Sequence, residues 1–163
     1  MILRTSWVYS AVGNNFVRTM LRLGAERDEL RIVDDQRGAP TAAADLARAA
    51  IHIAAAIDAG SATEFGTFHF TGGGAPTTWY GFAREIFCGA AERGLRVPRI
   101  VHPIATSDYP TPAARPRNSV LDCAKIARAY GLAATPWPAA LASCLDELIG
   151  SAPPVRVQQG AVR

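Results

Sequence analysis

The chain has 163 residues, of which 49% are hydrophobic and 19% are charged, a balance that suits one domain with a packed core. Its 17 basic and 14 acidic side chains leave a net charge of +3 that is dispersed along the sequence, which argues against a nucleic-acid-binding surface. We find no signal-peptide pattern, no apolar run long enough to span a bilayer and no paired spacing of the three cysteines, so we expect a cytoplasmic protein without membrane contact or disulfides.

The first predicted elements are a strand and a helix. The strand covers Ile2 to Tyr9, a segment rich in β-branched and aromatic residues that suits a buried position. The helix starts at Gly13-Asn14, and its apolar residues recur at the spacing of one helical face: Phe16, Val17, Met20, Leu21 and Gly24. A short second strand is predicted over Leu30 to Asp35.

A second helix is predicted after the turn at Gly38-Ala39-Pro40. Thr41 is its expected N-cap, and the helix is expected to end near Gly60. Its apolar stripe is predicted to consist of Leu46, Ala47, Ala50, Ile51, Ala54 and Ile57. A third strand then covers Gly66 to Thr71.

The remaining elements are three helices, a strand and an irregular loop. Thr77 is expected to cap the third helix and Gly94 to end it, with a stripe formed by Trp79, Phe82, Ala83, Ile86, Phe87 and Ala90. A fourth strand, RIVHPI, precedes a proline-rich loop over Ala105 to Asn118. Asp122 is expected to cap a fourth helix that ends at Tyr130-Gly131, and a last helix runs from Thr135-Pro136 through Leu148. We therefore place the folded region at residues 1–150 and a frayed tail at 151–163.

Two stretches match oxidoreductase motifs only in part. In FHFTGGGAPTTW, Gly72 and Gly74 lie between a strand and a helix, as in a dinucleotide-binding turn, but Thr77 occupies the third glycine position. A tight connection between strand and helix is the favoured interpretation. Tyr80 and Arg84 have the spacing of the Tyr-Lys pair of short-chain dehydrogenases, but Arg replaces Lys, and none of the four tyrosines has a Lys four residues later. We therefore predict no catalytic residue in this chain.

Five blocks of the sequence carry a family resemblance. In order they are RTSWVYSAVGNNFVRTMLRL, DDQRGAPT, DLA, TTWYGFA and YPTPAARPRNSVLD. Together they resemble the dTDP-4-dehydrorhamnose reductases, a branch of the extended short-chain dehydrogenase/reductases, over nearly all of residues 2 to 149. The resemblance implies an α/β chain that corresponds to the C-terminal, substrate-binding half of such an enzyme, with the N-terminal NAD(P)-binding Rossmann-like half missing. The glycine-rich phosphate turn and the catalytic Tyr and Lys would then lie upstream of Met1.

The resemblance also implies site residues near the start of the chain. Thr5 and Ser6 would lie at the nicotinamide of NADPH or NADH, although a strand with satisfied hydroxyls explains them equally well. Trp7 would border the deoxysugar of a dTDP-sugar nucleotide, whereas periodicity alone places it in the core. Asn14 and Asn15 would hydrogen-bond the nucleotide, or would simply cap the following helix.

In the proline-rich loop, the resemblance places Arg115 at the diphosphate of the substrate. A guanidinium fork matches diphosphate oxygens, and the alternative is a solvated loop arginine. Tyr109, Arg117 and Ser119 are lesser candidates in the same loop. Some members of the family hold magnesium between subunits with carboxylates, but Ala44 stands at one of those positions here, so we predict no metal.

The function that the resemblance implies is a part in the NAD(P)H-dependent reduction of dTDP-4-dehydro-L-rhamnose to dTDP-L-rhamnose, in dTDP-rhamnose and cell-surface polysaccharide biosynthesis. This chain would supply sugar-nucleotide binding and would be inactive alone. Its partner would be a separate N-terminal Rossmann chain or a second copy of itself. Two alternatives stay open: a non-catalytic sugar-nucleotide-binding or regulatory subunit of the same fold, and an inactive truncated remnant with a bare sheet edge.

Overall fold

The computed structural model describes residues 1–62 and 64–150, which form an α/β fold of eight short strands and five α-helices. The strands are β1 (Ile2–Arg4), β2 (Val8–Tyr9), β3 (Glu29–Val33), β4 (Arg37–Gly38), β5 (Thr41–Ala42), β6 (Thr67–His69), β7 (Thr77–Thr78) and β8 (Ile100–Ile104). The helices are α1 (Phe16–Glu26), α2 (Ala43–Asp58), α3 (Trp79–Glu92), α4 (Ala124–Tyr130) and α5 (Trp137–Gly150). The predicted tail at 151–163 lies outside the described residues. In the described part of the chain, each helix is too short or too polar to cross a bilayer.

The strands form four pairs within the described residues, and three of the pairs are parallel. β1 pairs with β6, β2 with β5, and β3 with β8 over five residues on each strand. β4 and β7 form a short antiparallel pair. Parallel neighbours need long crossover connections, and the helices between the paired strands supply them.

The segment from residue 2 to residue 9 forms two strands, so the prediction of one buried strand is wrong. β1 bonds to β6, and after a break β2 bonds to β5 instead. Trp7 lies in the break with φ of +51°, the only positive φ at a non-glycine residue in the described chain. Such a conformation costs about 1–3 kcal/mol and persists only where the surroundings hold it. Ile2 is 58% exposed, so the predicted burial also fails at the start of this segment.

The larger core cluster lies where α1, α3 and α5 pack together. Val17, Phe82 and Ile86 are each 0% exposed within it. Gly24 lets α1 approach α3 closely, since a Cβ at this position would lie 2.9 Å from the ring of Phe87. The apolar faces predicted for α1 and α3 are therefore confirmed.

The second helix packs through a face that differs from the predicted stripe. The buried residues of α2 are Asp45, Ala49 and Ile53, and the last two belong to the smaller core cluster. Of the predicted stripe, only Leu46 packs against this cluster; Ile51 is 69% exposed and Ile57 is 42% exposed, so the rest of the predicted stripe is wrong. The helix AADLARAAIHIAAAID is apolar on most of its circumference, and its pattern therefore does not single out the packed face.

Two predicted helix caps are displaced. Thr41 lies buried in β5, where its hydroxyl accepts a hydrogen bond from the N–H of Gly72 at 3.1 Å. It therefore ties β5 to the glycine turn, and the N-cap of α2 is Ala42, without a side-chain bond. The helix α3 is capped by Thr78, whose hydroxyl accepts from the N–H of Gly81 at 3.0 Å.

Other predicted helix boundaries are close to the observed ones. Asp122 accepts a hydrogen bond from the N–H of Ala124, the first residue of α4, at 2.8 Å. Gly94 follows α3 with φ of +76°, and Gly131 follows α4 with φ of +63°, the conformation that favours glycine at a helix end.

Candidate functional site

Four segments that are distant in sequence contact one another at the candidate site. They are residues 5–7, residues 34–38, the start of α3, and a loop over residues 105–119 that we call the proline loop. The hydrogen bonds that join them span up to 113 residues along the chain. Two of the predicted site residues after β1, Ser6 and Trp7, therefore contact the loop that carries Tyr109 and Arg115.

Trp7 forms a stacked aromatic pair with Trp79 at the centre of these contacts. The two ring centroids are 3.6 Å apart and the rings are within 8° of parallel. The indole N–H of Trp7 donates to the hydroxyl of Ser119 at 3.2 Å. Gly38 lies against the same indole, since a Cβ there would be 2.3 Å from Cε2 of Trp7. Trp7 is thus a half-buried member of a pair, and its partner Trp79 was predicted only as a core residue.

The first end of the proline loop is anchored on residues 35 and 36. The hydroxyl and the N–H of Thr106 both donate to one carboxylate oxygen of Asp35, at 2.5 Å and 3.0 Å. These bonds, with the nearby charge of Arg117, hold the pKa of Asp35 below its ordinary value of 3.8. The side-chain amide of Gln36 donates to the hydroxyl of Thr106 at 2.9 Å. The loop therefore begins at a charge-assisted anchor.

The second end of the loop is anchored on residue 37. The N–H of Arg37 donates to the carbonyl of Arg117, and the N–H of Ser119 donates to the carbonyl of Arg37, each at 2.8 Å. The hydroxyl of Ser6 donates to the carbonyl of Ser119 at 3.3 Å. Because both ends are fixed on three consecutive residues, the intervening segment projects as a closed loop from a narrow base.

The projecting part of the loop carries two predicted substrate-binding residues. Tyr109 is 60% exposed. Arg115 is also exposed, and its guanidinium makes no hydrogen bond or ion pair with the described part of the chain. An exposed guanidinium on an anchored loop can form a forked pair of hydrogen bonds to an anion. The predicted roles of both residues remain predictions.

The hydroxyls predicted to meet a nicotinamide differ in their surroundings. Thr5 Oγ1 is buried and has no hydrogen-bond partner among the described residues. Ser6 is already engaged with the proline loop. A buried hydroxyl without a partner costs free energy, so Thr5 is the better candidate for a contact with a bound group.

The two asparagines before α1 have different surroundings, which bear on whether each caps the helix or is free to contact a ligand. Asn15 is the N-cap: its side-chain oxygen accepts from the N–H of Arg18 at 3.3 Å, and its amide donates to the carbonyl of Ser10 at 2.9 Å. Asn14 is exposed. The geometry therefore favours the capping role for Asn15 and leaves Asn14 accessible to a ligand.

Backbone segments of this chain pack directly against the glycine-rich turn at residues 72–74. A Cβ on Gly72 would lie 1.9 Å from the carbonyl oxygen of Pro40. Gly73 exchanges hydrogen bonds with Thr135 and Trp137, each at 2.9 Å. The glycines thus permit close packing of backbone on backbone, which supports the interpretation as a tight connection.

Three of the four tyrosine side chains, those of Tyr9, Tyr80 and Tyr130, make contacts within the fold. Burial raises the pKa of Tyr9, whose hydroxyl donates to a backbone carbonyl in α5. Tyr80 stacks under Arg84 at 5.9 Å, and the hydroxyl of Tyr130 donates to a carbonyl at residue 64. Lys125 lies over the ring of a phenylalanine in β6 and donates to a backbone carbonyl. None of the described tyrosine hydroxyls is therefore hydrogen-bonded to the lysine. The described residues also contain no group of three His, Cys, Asp or Glu side chains that could hold a metal ion.

Comparisons with known proteins identify relatives over almost the whole chain. A family described as the RmlD substrate binding domain matches residues 1–149. A dTDP-4-dehydrorhamnose reductase of Aggregatibacter actinomycetemcomitans is 47% identical over 142 residues, which cover 86% of this chain and 48% of that protein. The crystal structure of a dTDP-4-dehydrorhamnose reductase from Clostridium acetobutylicum is 40% identical with a TM-score of 0.77, covering 91% of this chain and 48% of that one.

A second solved structure bears on the cofactor. It is the dTDP-4-dehydrorhamnose reductase of Bacillus anthracis in complex with NADP, 36% identical with a TM-score of 0.69, and it covers 90% of this chain and 47% of that one. The chain thus spans about half the length of the relatives that it matches. The α/β fold is that of the substrate-binding half of these enzymes.

Proposed function

The chain belongs to the family described as the RmlD substrate binding domain, and we propose that it forms the sugar-nucleotide site of a dTDP-4-dehydrorhamnose reductase. The assembled enzyme reduces the C4 ketone of dTDP-4-dehydro-L-rhamnose and so produces dTDP-L-rhamnose, for the synthesis of cell-surface polysaccharide. One observation carries the proposal: a family match over residues 1–149 coincides with a loop anchored at both ends beside an aromatic pair.

This chain's part in the reaction is to bind and orient the substrate. Arg115 forms two parallel hydrogen bonds to the diphosphate, as its fork geometry allows. The accessible part of Trp7 offers an apolar surface to the C–H face of the deoxysugar, and Tyr109 lies on the same loop as Arg115. Fixing both ends of the substrate holds the ketone in one place, which lowers the orientational part of the barrier.

The nicotinamide cofactor, when bound, supplies the hydride for the ketone. Thr5 fits a contact with the carboxamide because its hydroxyl has no partner in the described chain. The cofactor's phosphates do not fit the glycine turn, since Gly72 packs on Pro40. We therefore assign the phosphate cradle and the proton-donating Tyr-Lys pair to a polypeptide segment other than the one described, and we expect no reduction by this chain alone.

An uncovered surface next to β1 fits that other segment. The backbone groups of Ile2 and Arg4 form the hydrogen bonds to β6 and its flanking residues. The backbone N–H and C=O groups of Leu3 and Thr5 therefore face the opposite edge of β1, which has no partner strand among the described residues. Parallel sheets are normally covered on both sides and continue beyond two strands. On α2, a stripe of small and β-branched side chains is exposed on a side of the helix other than the one that packs on the smaller core cluster: Ala47, Ala50, Ile51, Ala54 and Ile57. We propose that the nucleotide-binding half of a reductase docks here, with a parallel strand on β1 and apolar side chains on the stripe.

Two neighbouring alanines of α2 test the docking surface. Ala54 lies in the stripe, and Ala55 is exposed but rotated about 100° around the helix. We expect Ala54→Arg to abolish co-purification with the nucleotide-binding half of a related reductase, because it buries a charge in an apolar contact, while Ala55→Arg retains it. Equal co-purification of both variants would contradict the assignment. Self-association of the chain that Ala54→Arg disrupts would instead identify a second copy as the occupant.

The diphosphate role is tested by calorimetric titration of the chain with dTDP. Arg115→Ala should weaken binding by about 10- to 100-fold, the value of charge-assisted hydrogen bonds to one guanidinium. Arg22→Ala is the matched control, because Arg22 is exposed on α1 and, among the described residues, pairs only with Glu26, at 3.1 Å. Equal affinity of the wild type and of Arg115→Ala would remove Arg115 from the diphosphate.

A further inference from the structure

We propose that Gln36 is a positioning residue that joins the aromatic pair to the proline loop, an inference that rests on the proposed function. Gln36 is 8% exposed and uses both ends of its side-chain amide. Its oxygen accepts from the indole N–H of Trp79 at 3.2 Å, and its nitrogen donates to the hydroxyl of Thr106 at 2.9 Å. One buried side chain thus bridges the ring that stacks on Trp7 and the first anchor of the loop.

The direction of each hydrogen bond in this network is fixed by chemistry. The indole of Trp79 can only donate, and the carboxylate of Asp35 can only accept. The single hydroxyl proton of Thr106 goes to Asp35 at 2.5 Å, so the same hydroxyl must accept from Gln36. The position therefore requires a side chain that accepts on one side and donates on the other, which an amide does and a carboxylate does not.

Because Gln36 lies between Asp35 and Arg37 in the chain, it is also connected to the second end of the loop. Its neighbour Asp35 holds Thr106, and its other neighbour Arg37 holds Arg117 and Ser119 through backbone bonds. A shift of residue 36 moves both anchors relative to the aromatic pair. The distance between the sugar contact at Trp7 and the diphosphate contact in the loop is thereby set by a buried residue that touches neither.

Two variants separate the two bonds of Gln36. Gln36→Glu keeps the acceptor for Trp79 and loses the donor to Thr106, whereas Gln36→Leu loses both. In ¹⁵N-labelled chain, the three tryptophans give three indole signals, and that of Trp137, which donates to the carbonyl of Ala75 at 2.9 Å, is the internal control. The amide exchange of Thr106 reports on the loop anchor. The dTDP affinity of each variant is measured by calorimetry.

We expect the indole signal of Trp79 to move in Gln36→Leu and to stay near its wild-type position in Gln36→Glu, with Trp137 unchanged in both. The amide of Thr106 should exchange faster in both variants, and dTDP should bind about 2- to 10-fold more weakly, as for the loss of one hydrogen bond. Should either variant fail to fold, Thr106→Val removes the contact with Gln36 from the other side, together with the hydroxyl bond to Asp35, and should weaken dTDP binding at least as much.

Wild-type affinity in folded Gln36→Glu and Thr106→Val would overturn the positioning role while leaving the proposed function intact. Absence of dTDP binding by the wild type would instead contradict the proposed function. In that case, the indole and amide signals of the free chain still decide whether Gln36 couples the two parts.

Discussion

Replacing Gly38 by alanine should disturb the site through one predictable contact. A Cβ at this position would lie 2.3 Å from Cε2, 2.6 Å from Nε1 and 2.7 Å from Cζ2 of Trp7. Carbon atoms in contact are normally about 3.5–4.0 Å apart, so the indole must move by about 1 Å. Gly38 has no positive φ, and its backbone therefore accepts alanine without strain. The effect is expected to be purely steric and local to the aromatic pair.

The displaced indole cannot keep both of its present contacts. It stacks on Trp79 at 3.6 Å and donates to Ser119 at 3.2 Å. Overpacking of this kind costs about 1–3 kcal/mol, which lowers the melting temperature by about 2–12 °C in a chain of this length. The near-ultraviolet circular dichroism of the stacked tryptophans should weaken at the same time.

Thermal unfolding and near-ultraviolet spectra of Gly38→Ala test this expectation. Gly150→Ala is the control, since a Cβ there meets nothing within 4 Å. In a Trp7→Ala background, Gly38→Ala should cost much less, because the clashing ring is absent. An equal cost in both backgrounds, or an unchanged spectrum in the single variant, would refute the reasoning.

Three further predictions concern the core, a thiol and the loop anchor. Phe82→Ala should destabilise the chain by about 3–5 kcal/mol in urea titrations, because the ring is 0% exposed; a loss below about 1 kcal/mol would contradict its place in the core. Burial raises the pKa of the Cys144 thiol to about 11, so a thiol reagent at neutral pH should modify the exposed Cys88 first and Cys144 only on unfolding; equal rates would contradict this. The pKa of Asp35 is lowered in the folded chain, so the stability that its carboxylate contributes is present above the ordinary value of 3.8 and is lost as the pH falls through the lower folded value. The backbone amide of Thr106 should therefore lose its protection from hydrogen exchange in that acid range. In Asp35→Asn, this pH-dependent loss of protection should be absent.

Local signals in the sequence predicted the helices that pack on the main core. The stripe of α3 is separated by polar residues such as Arg84 and Glu85, so its spacing identifies one face. Gly94 and Gly131 end helices because a positive φ is easily reached only by glycine. These features depend on neighbours within one or two helical turns, which the sequence displays directly.

The face of α2 could not be predicted in the same way. The helix offers apolar residues on adjacent faces, and only the position of the second core cluster decides that Ala49 and Ile53 are buried while Ile51 is exposed. The break at Trp7 was missed for a related reason. A strand-like composition does not reveal that β1 and β2 bond to different partner strands.

Many contacts of the candidate site also could not be predicted from sequence patterns. The family resemblance indicates Trp7, Arg115 and, at the second end of the loop, Arg117 and Ser119, but it assigns no role to Gln36 or Thr106 at the first end. Gln36 and Thr106 are 70 positions apart, and no periodicity links them. Both lie in or beside the blocks that carry the resemblance, but the burial of Gln36 and its contact with Thr106 are visible only in the fold.

Reconstitution of activity tests the central claim most directly. The purified chain is mixed with NADPH and dTDP-4-dehydro-L-rhamnose, with and without the nucleotide-binding half of a related dTDP-4-dehydrorhamnose reductase, and the loss of NADPH absorbance is followed. We predict no oxidation by either polypeptide alone and sugar-dependent oxidation by the pair, reduced by Arg115→Ala. Oxidation by this chain alone would contradict the assignment of the cofactor cradle and proton donor to another segment, and binding of dTDP without oxidation by the pair would favour a non-catalytic subunit.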